Sequence, residues 1–316
     1  MQTLSPQLVR EAAVRIRPLA RRTPVMTSRS IDERAGVRVF LKCENLQRSG
    51  AFKIRGASNL ILSLQPEQLD RGVVAFSSGN HAIATAMAAK HVGTQATIVM
   101  PEDAPRSKME PTRAFGARII TYNRALDDRE AMAARVLQET GGTLVPPYDH
   151  PMIMAGQGTT ALELLEEAPD IDALVVCISG GGLLAGCATI AKSIKAGIRV
   201  FGVEPEQAND TALSLAAGER VTIPPPESIA DGLRSPAPGV LTFPILQRHV
   251  ERVLLVSEAE IRATMRVLLE RLKMLVEPSG AVALAAVLFG MLPREIRSVG
   301  VVISGGNVDL DFLKTL

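Results

Sequence analysis

The sequence is short of the features that mark several common protein classes. Its three cysteines, Cys43, Cys177 and Cys187, are odd in number and show no CxxC spacing. That predicts buried, reduced thiols and neither a disulfide framework nor a cysteine-bound zinc. The four histidines (His81, His91, His150 and His249) are scattered and make no HExxH pair, so zinc chemistry is not expected. Charge of one sign is missing as well, with 35 Lys and Arg against 33 Asp and Glu, a net +2. No basic run is interleaved with aromatics, so neither nucleic acid nor an anionic membrane is an expected partner. No apolar stretch approaches the roughly 20 residues that span a bilayer, and the longest, residues 281–292, is far shorter. Arg10, Glu11, Arg15 and Arg17 interrupt the N-terminus where a signal peptide needs an apolar centre. These absences describe a soluble protein of a reducing compartment, with the cytoplasm as its expected location.

What is present is enough apolar material for a large core. The chain has 316 residues, 47% of them hydrophobic and 22% charged, a length that predicts two domains. Residues 72–147 read as alternating strands and helices. Val73-Val74-Ala75-Phe76 is followed by Ser77-Ser78-Gly79-Asn80, then by an alanine-rich helix over 82–90. Further strands are expected at 96–100, 118–121 and 143–145, with a helix over 127–140. Four strands with helices between them predict a small parallel α/β unit. Pro146-Pro147-Tyr148-Asp149-His150-Pro151 reads as its exit hinge. The rhythm resumes with strands at 173–178 and 199–203 around a helix over 183–195. Ser257-Glu258-Ala259-Glu260 is a capping box opening a helix with Ile261, Met265, Leu268, Leu269 and Leu272 inward. A last strand covers 299–303. A strand at 39–42 belongs with this second group, so the expected division is residues 1–71 with 149–316 as a large domain and 72–148 as a small one.

Four polar, glycine-bearing segments carry the chemistry, three of them directly after strands, where ligands sit in parallel sheets. Ser179-Gly180-Gly181-Gly182-Leu183 joins a strand to a helix. Its amides and the helix N-terminus suit a phosphate, and the absence of a following GK[ST] excludes a nucleoside-triphosphate loop. The same residues also satisfy GxGxxA through Gly180, Gly182 and Ala185, with Glu204 about twenty residues on, as a dinucleotide fingerprint requires. A nicotinamide-dependent oxidoreductase therefore stays open at this point. In Ser49-Gly50-Ala51-Phe52-Lys53-Ile54 the lysine lies between two apolar residues. It is either an ordinary solvated side chain or a desolvated amine with a lowered pKa, free to act as a nucleophile. Ser77-Ser78-Gly79-Asn80-His81 places hydroxyls and amides at a helix start, a carboxylate receptor. Ser304-Gly305-Gly306-Asn307 closes the last strand.

FKIRGA, SSGNHA, SGGGLLAG, EPSGA (Glu277 to Ala281) and the terminal SGGN occur in this order. Together they resemble the fold-type II pyridoxal-phosphate enzymes, in the threonine/serine dehydratase and serine racemase branch. The resemblance runs from Arg22-Thr23-Pro24 to Asn307, nearly the whole chain. It implies a two-domain α/β architecture like that of the tryptophan synthase β subunit, each domain a mostly parallel sheet flanked by helices. It implies pyridoxal 5'-phosphate as cofactor, held covalently by Lys53, which also removes the substrate's Cα proton. Phe52 would pack on the ring and Asn80 would bond its 3-hydroxyl. Ser179, Gly180, Gly181, Gly182 and Leu183 would hold the phosphate, and Ser304 would face the pyridine nitrogen. A neutral hydroxyl there leaves a weaker electron sink, which favours prompt β-elimination. Ser77, Ser78, Asn80 and His81 would bind the substrate carboxylate, with Arg129 and Ser235 close to the substrate. Ser78 matches the serine that exchanges a proton on the opposite face in racemases.

The run from Glu204 to Asp210 adds a further likeness. Serine racemases and threo-3-hydroxyaspartate ammonia-lyases bind a divalent cation through a Glu, an Ala carbonyl and an Asp at this spacing. That reassigns Glu204 from a ribose to a metal site with Ala208 and Asp210, whose hard oxygens suit Mg²⁺ or Ca²⁺. The expected activity is conversion of L-threonine or L-serine to a 2-oxo acid and ammonia. The alternative is serine racemase or threo-3-hydroxyaspartate ammonia-lyase on the same site; a second cation at Arg129 would suit a β-carboxylate and the PPYDHP segment resembles hydroxyaspartate-acting relatives, which makes 3-hydroxyaspartate a candidate substrate. Relatives of this kind are homodimers or homotetramers. Two positions depart from the pattern: Ile83 replaces a common glutamine, and Glu110-Pro111 interrupts a helix usually free of proline. The chain ends soon after SGGN, so a C-terminal regulatory domain with isoleucine feedback is not expected.

Overall fold

The computed structural model describes residues 3–77, 79–104, 106–123, 126–127 and 129–316, and of residues 129 and 130 the backbone alone. The strands in chain order are β1 (Val25–Met26), β2 (Arg38–Cys43), β3 (Val73–Phe76), β4 (Ala96–Pro101) and β5 (Arg118–Tyr122). They continue with β6 (Thr143–Leu144), β7 (Ala173–Cys177), β8 (Arg199–Pro205), β9 (Arg252–Val256) and β10 (Ser298–Ile303). Among the described residues they form two sheets, ordered β1-β2-β10-β7-β8-β9 and β5-β4-β3-β6. Only β1 runs antiparallel to its neighbour. The expected α/β architecture of mostly parallel sheets flanked by helices is what the chain adopts.

The central strands show why. β7 reads Ala-Leu-Val-Val-Cys and β10 Ser-Val-Gly-Val-Val-Ile, apolar runs in which both faces are buried. A parallel strand covered by helices on both sides has no solvent face and so does not alternate. β5, at an edge, leaves Arg118 and Thr121 exposed. Because β10 lies between β2 and β7, the chain leaving β10 emerges beside the chain leaving β7. This adjacency brings Ser304 beside the glycine loop.

Helix limits differ from expectation by at most two residues. The alanine-rich helix covers Asn80–Val92, the glycine-loop helix Gly182–Ile194 and the helix before the hinge Arg129–Thr140. Ser257 caps its helix as expected, accepting from the Glu260 amide while Glu260 accepts from the Ser257 amide. The inward face needs one correction. Ile261, Met265 and Leu268 are buried, but Leu269 is exposed and Leu272 only half-buried. At 3.6 residues per turn Leu269 is rotated about 80° from Ile261, off the buried stripe. The helix Arg106–Ala114 continues through Pro111.

The helix Pro151–Glu167 is the scaffold that positions the site. A Cβ at Gly156 would lie 2.3 Å from the Arg55 carbonyl oxygen, and one at Gly186 would lie 2.1 Å from that of Met154. Glycine at both places lets this helix approach the helices Lys53–Ile61 and Gly182–Ile194 backbone to backbone. A buried charge quartet adds direction. Arg55 binds Glu44 (Nε to Oε2, 2.7 Å) and Glu163 (Nη2 to Oε2, 2.7 Å), and Lys42 Nζ binds Glu163 at 2.6 Å. Arg55, Glu44 and Lys42 side chains are 0% exposed and Glu163 is 15% exposed, so two cations and two anions share one largely buried cluster whose hub, Arg55, follows Lys53 by two residues.

Candidate active site

The loops leaving β3, β7 and β10 converge on a cavity of about 580 Å³, a volume typical of a small-molecule site. Lys53, Ser77, Asn80 and His81 line it, as do Ser179 to Leu183, Ser235 and Ser304. Every described side chain expected at the cofactor and substrate is therefore brought together, apart from the cation set. Ser78 lies outside the described residues, as does the side chain of Arg129.

Lys53 opens its helix at the cavity wall. Its Nζ donates to the Pro147 carbonyl at 2.7 Å and lies 5.1 Å from the centre of the Phe52 ring. Burial lowers its pKa to about 8, so the free amine is a minor form at neutral pH and becomes a substantial one at mildly basic pH. The chain before it is stitched to the exit of β10: Phe52 N–H donates to Ser304 O (3.0 Å), Gly306 N–H to Gly50 O (2.9 Å), and Ala51 bridges Gly305. Lys53 and the buried Ser304 are thus held as one unit.

The glycine loop faces the same space. The N–H groups of Gly180, Gly181, Gly182 and Leu183 have no protein acceptor among the described residues. Those of Gly182 and Leu183 are first-turn donors, unpaired within any helix. There is no room behind the loop for side chains, since a Cβ at Gly180 would lie 2.3 Å from the Tyr148 ring and one at Gly182 2.7 Å from Gln157 Oε1. Gly181, at φ 90°, turns the chain where an L side chain is strained. Unpaired amides at a helix N-terminus fit a phosphate. Ser179 Oγ and Ser235 Oγ share a hydrogen bond of 2.9 Å beside it.

Across the cavity, Asn80 is fixed at both ends. Its Nδ2 donates to Glu277 Oε1 at 2.5 Å, and its Oδ1 accepts from Asn307 Nδ2 at 2.9 Å. Ser77 Oγ accepts from the Gly79 N–H at 3.1 Å. His81 Nε2 contacts the Val145 carbonyl at 2.8 Å, and burial, aided by the Lys53 charge, lowers its pKa to about 3. The ring is therefore neutral, with Nε2–H donated to Val145.

Sequence reasoning gave no role to four participants here: Lys108, Asp231, Glu277 and Asn307. Lys108 of the helix Arg106–Ala114 is buried in the cavity, 2.5 Å from Asp231 Oδ2 and 3.5 Å from Glu277 Oε2. Burial alone would lower its pKa, but the carboxylates of Glu277 and Asp231 outweigh it and hold the ammonium above its usual range. Asn307 was legible only as the end of a loop motif. Lys108, Asp231 and Glu277 are remote in sequence and carry no shared spacing; Glu277 was legible only as the start of EPSGA, and only the fold brings the three together. Burial pushes the Cys177 thiol up to about 11, which leaves it inert at the cavity wall.

The expected cation residues lie at the carboxyl end of β8, away from the cavity lining. Glu204 is fully buried and accepts from the amides of Thr211 (3.1 Å) and Ala212 (3.0 Å). That orientation leaves it no part in binding a ribose, and the dinucleotide reading loses its acidic partner. Asp210 is buried, and both its carboxylate oxygens lack a hydrogen-bond donor among the described residues.

Comparison with known proteins agrees with this geometry. The pattern of the family described as pyridoxal-phosphate dependent enzyme matches residues 16–305. The L-threo-3-hydroxyaspartate ammonia-lyase of Saccharomyces cerevisiae is 46% identical over 308 residues, 98% of this chain and 94% of that protein. The L-threonine ammonia-lyase of Geobacter sulfurreducens is 43% identical over 303 residues, 96% of this chain and 75% of that protein. The solved structure of maize serine racemase superposes with a TM-score of 0.96 at 46% identity, covering 99% of this chain and 97% of that one. Similarity along nearly the full length overturns the nicotinamide alternative, and the chain belongs to the pyridoxal-phosphate dependent enzymes.

Proposed function

We propose that this enzyme is an ammonia-lyase that eliminates water from small hydroxy amino acids, L-threonine and L-serine first among them. The observation that carries the reading is the desolvated amine of Lys53 in a cavity walled by unpaired glycine amides. When bound, pyridoxal phosphate supplies the electron sink that makes the substrate's Cα proton acidic. Lys53 anchors it and then serves as the base for that proton. The amides of Gly180, Gly181, Gly182 and Leu183, with Ser179, take the phosphate. Phe52 packs on the ring, Asn80 orients its 3-oxygen and Ser304 its nitrogen. Ser77, Asn80 and the His81 backbone at the helix start receive the substrate carboxylate, with Ser235 and Arg129 close by. Loss of the Cα proton and the β-hydroxide yields water and an enamine, which hydrolyses to a 2-oxo acid and ammonia. Residues 72–148 form the unit that presents the carboxylate receptor to the rest of the chain. Three buried, unpaired thiols suit a reducing, cytoplasmic setting.

Incubation with L-threonine, L-serine and L-threo-3-hydroxyaspartate, with oxo acid and D-isomer assayed together, is expected to give 2-oxo acid. No oxo acid from any of the three contradicts the reading. Racemisation is the second reading, supported by the serine that the SSGNHA motif carries at position 78 and by the similarity to maize serine racemase. D-serine exceeding pyruvate would decide for it.

Glu204, the Ala208 carbonyl and Asp210 are proposed to hold Mg²⁺ or Ca²⁺, a reading supported by the buried Asp210 oxygens, which have no hydrogen-bond donor among the described residues. Burial and the Asp210 charge raise Glu204 to about 8, and burial raises Asp210 to about 7. Without a cation the folded carboxyls keep protons that the unfolded chain releases. Stability therefore falls as pH rises from about 4 towards 8, and a bound cation replaces those protons. Mg²⁺ is expected to raise Tm more at pH 8 than at pH 6, EDTA to reverse it, and Asp210→Ala to abolish the response. An unchanged Tm in EDTA would remove the site.

A further inference from the structure

We infer that Asp149, acting with Thr242, holds the glycine loop in its phosphate-accepting geometry; the inference rests on the cofactor reading above. Asp149 does not line the cavity. Its carboxylate accepts three consecutive backbone N–H groups of a distant segment: Val240 to Oδ2 at 2.9 Å, and Leu241 and Thr242 to Oδ1 at 2.9 and 3.1 Å. The approach is close enough that a Cβ at Gly239 would lie 2.3 Å from Oδ1. The segment so anchored then grips the loop. Gly239 N–H and the Thr242 hydroxyl both donate to the Gly180 carbonyl, at 3.1 and 2.7 Å.

The consequence follows from peptide geometry. In a trans peptide the C=O and the next N–H point in opposite directions. Two donors holding the Gly180 carbonyl on the Thr242 side turn the Gly181 N–H to the other side, toward the cavity. On the opposite flank the Tyr148 ring closes over Gly180. One dipeptide, Tyr148-Asp149, therefore braces the loop directly through its aromatic ring and indirectly through the 239–242 segment. A carboxylate is needed, because only its two oxygens accept all three amides. In the Asp149→Asn variant the NH₂ end of the side chain would face an N–H donor. Asp149 is a positioning residue, and its effect should be specific to the phosphate.

The test compares two probes, pyridoxal 5'-phosphate and pyridoxal, which differ only in the phosphate. Their dissociation constants are measured by absorbance titration of the apoprotein for wild type, Asp149→Asn and Thr242→Val, with Tm as a control for folding. Wild type is expected to prefer the phosphorylated probe. Asp149→Asn should cut that preference by roughly ten- to hundredfold, and Thr242→Val by roughly two- to tenfold, with affinity for pyridoxal unchanged. If Asp149→Asn does not fold, Thr242→Val, which removes only the hydroxyl, carries the test. An unchanged preference in the folded variants, or equal weakening of both probes, overturns the inference. A wild-type protein that binds neither probe overturns the cofactor reading itself, a distinct result.

Discussion

Lys53→Ala is expected to lose the visible absorption band of the cofactor-loaded protein and about four orders of magnitude or more of lyase activity, while keeping its fold. The two lysines of the cavity explain the specificity of the effect. Lys53 has no carboxylate partner among the described residues, and burial depresses it to about 8, so its amine is available as nucleophile and base. Lys108 sits between Asp231 and Glu277, which hold it protonated and therefore non-nucleophilic. Desolvation with no counter-charge and desolvation with two of them produce opposite chemistry from the same side chain. Stability should barely change in Lys53→Ala, because the side chain's hydrogen bond is to one carbonyl, that of Pro147. Thermal unfolding of the apoprotein within a few degrees of wild type, beside the lost band, would separate chemistry from folding. Lys53→Arg should be as inactive, since a guanidinium stays protonated.

Arg55→Met is expected to have the largest effect on stability, about 3–5 kcal/mol, read as a fall in Tm on the order of 10 °C. Arg55 is the hub of the buried quartet. It donates to both oxygens of Glu44 (2.7 and 2.8 Å) and of Glu163 (2.7 Å each), and to Thr159 at 2.9 Å. Removing it leaves Glu44 with no cation in contact among the described residues, while Lys42 still serves Glu163. An uncompensated buried carboxylate is the costly outcome, far more than the methylenes exchanged. Arg55→Lys should recover only part of the loss, because a point charge cannot replace two bidentate forks. Equal stability of Arg55→Met and wild type, by thermal or urea unfolding, would contradict this role for the quartet.

How much of this was legible beforehand depends on how local the signal is. Lys53, Asn80, the glycine loop and Ser304 sit in short motifs at strand ends, and a parallel sheet converts that position into a shared cavity. The strand pattern was equally readable, because β3, β7 and β10 are continuous apolar runs closed by glycine or serine. Contacts between distant segments left no trace. Asn307 meets Asn80 across 227 residues, and Lys108 meets Asp231 across 123. Nothing in spacing or composition marks such pairs. Arg55 shows the limit from the other side. It was read only as part of FKIRGA, and no sequence feature reveals that its guanidinium is buried among two glutamates. Glu204 was legible as an acid closing a strand, but its role turned on the direction of the carboxylate, which only the fold supplies.

The most direct measurement is to treat the cofactor-loaded protein with borohydride, digest it and locate the fixed pyridoxyl group by mass spectrometry. A single modified site at Lys53 is expected, with the visible band removed in parallel. Modification at Lys108, or no fixed group at all, would contradict it.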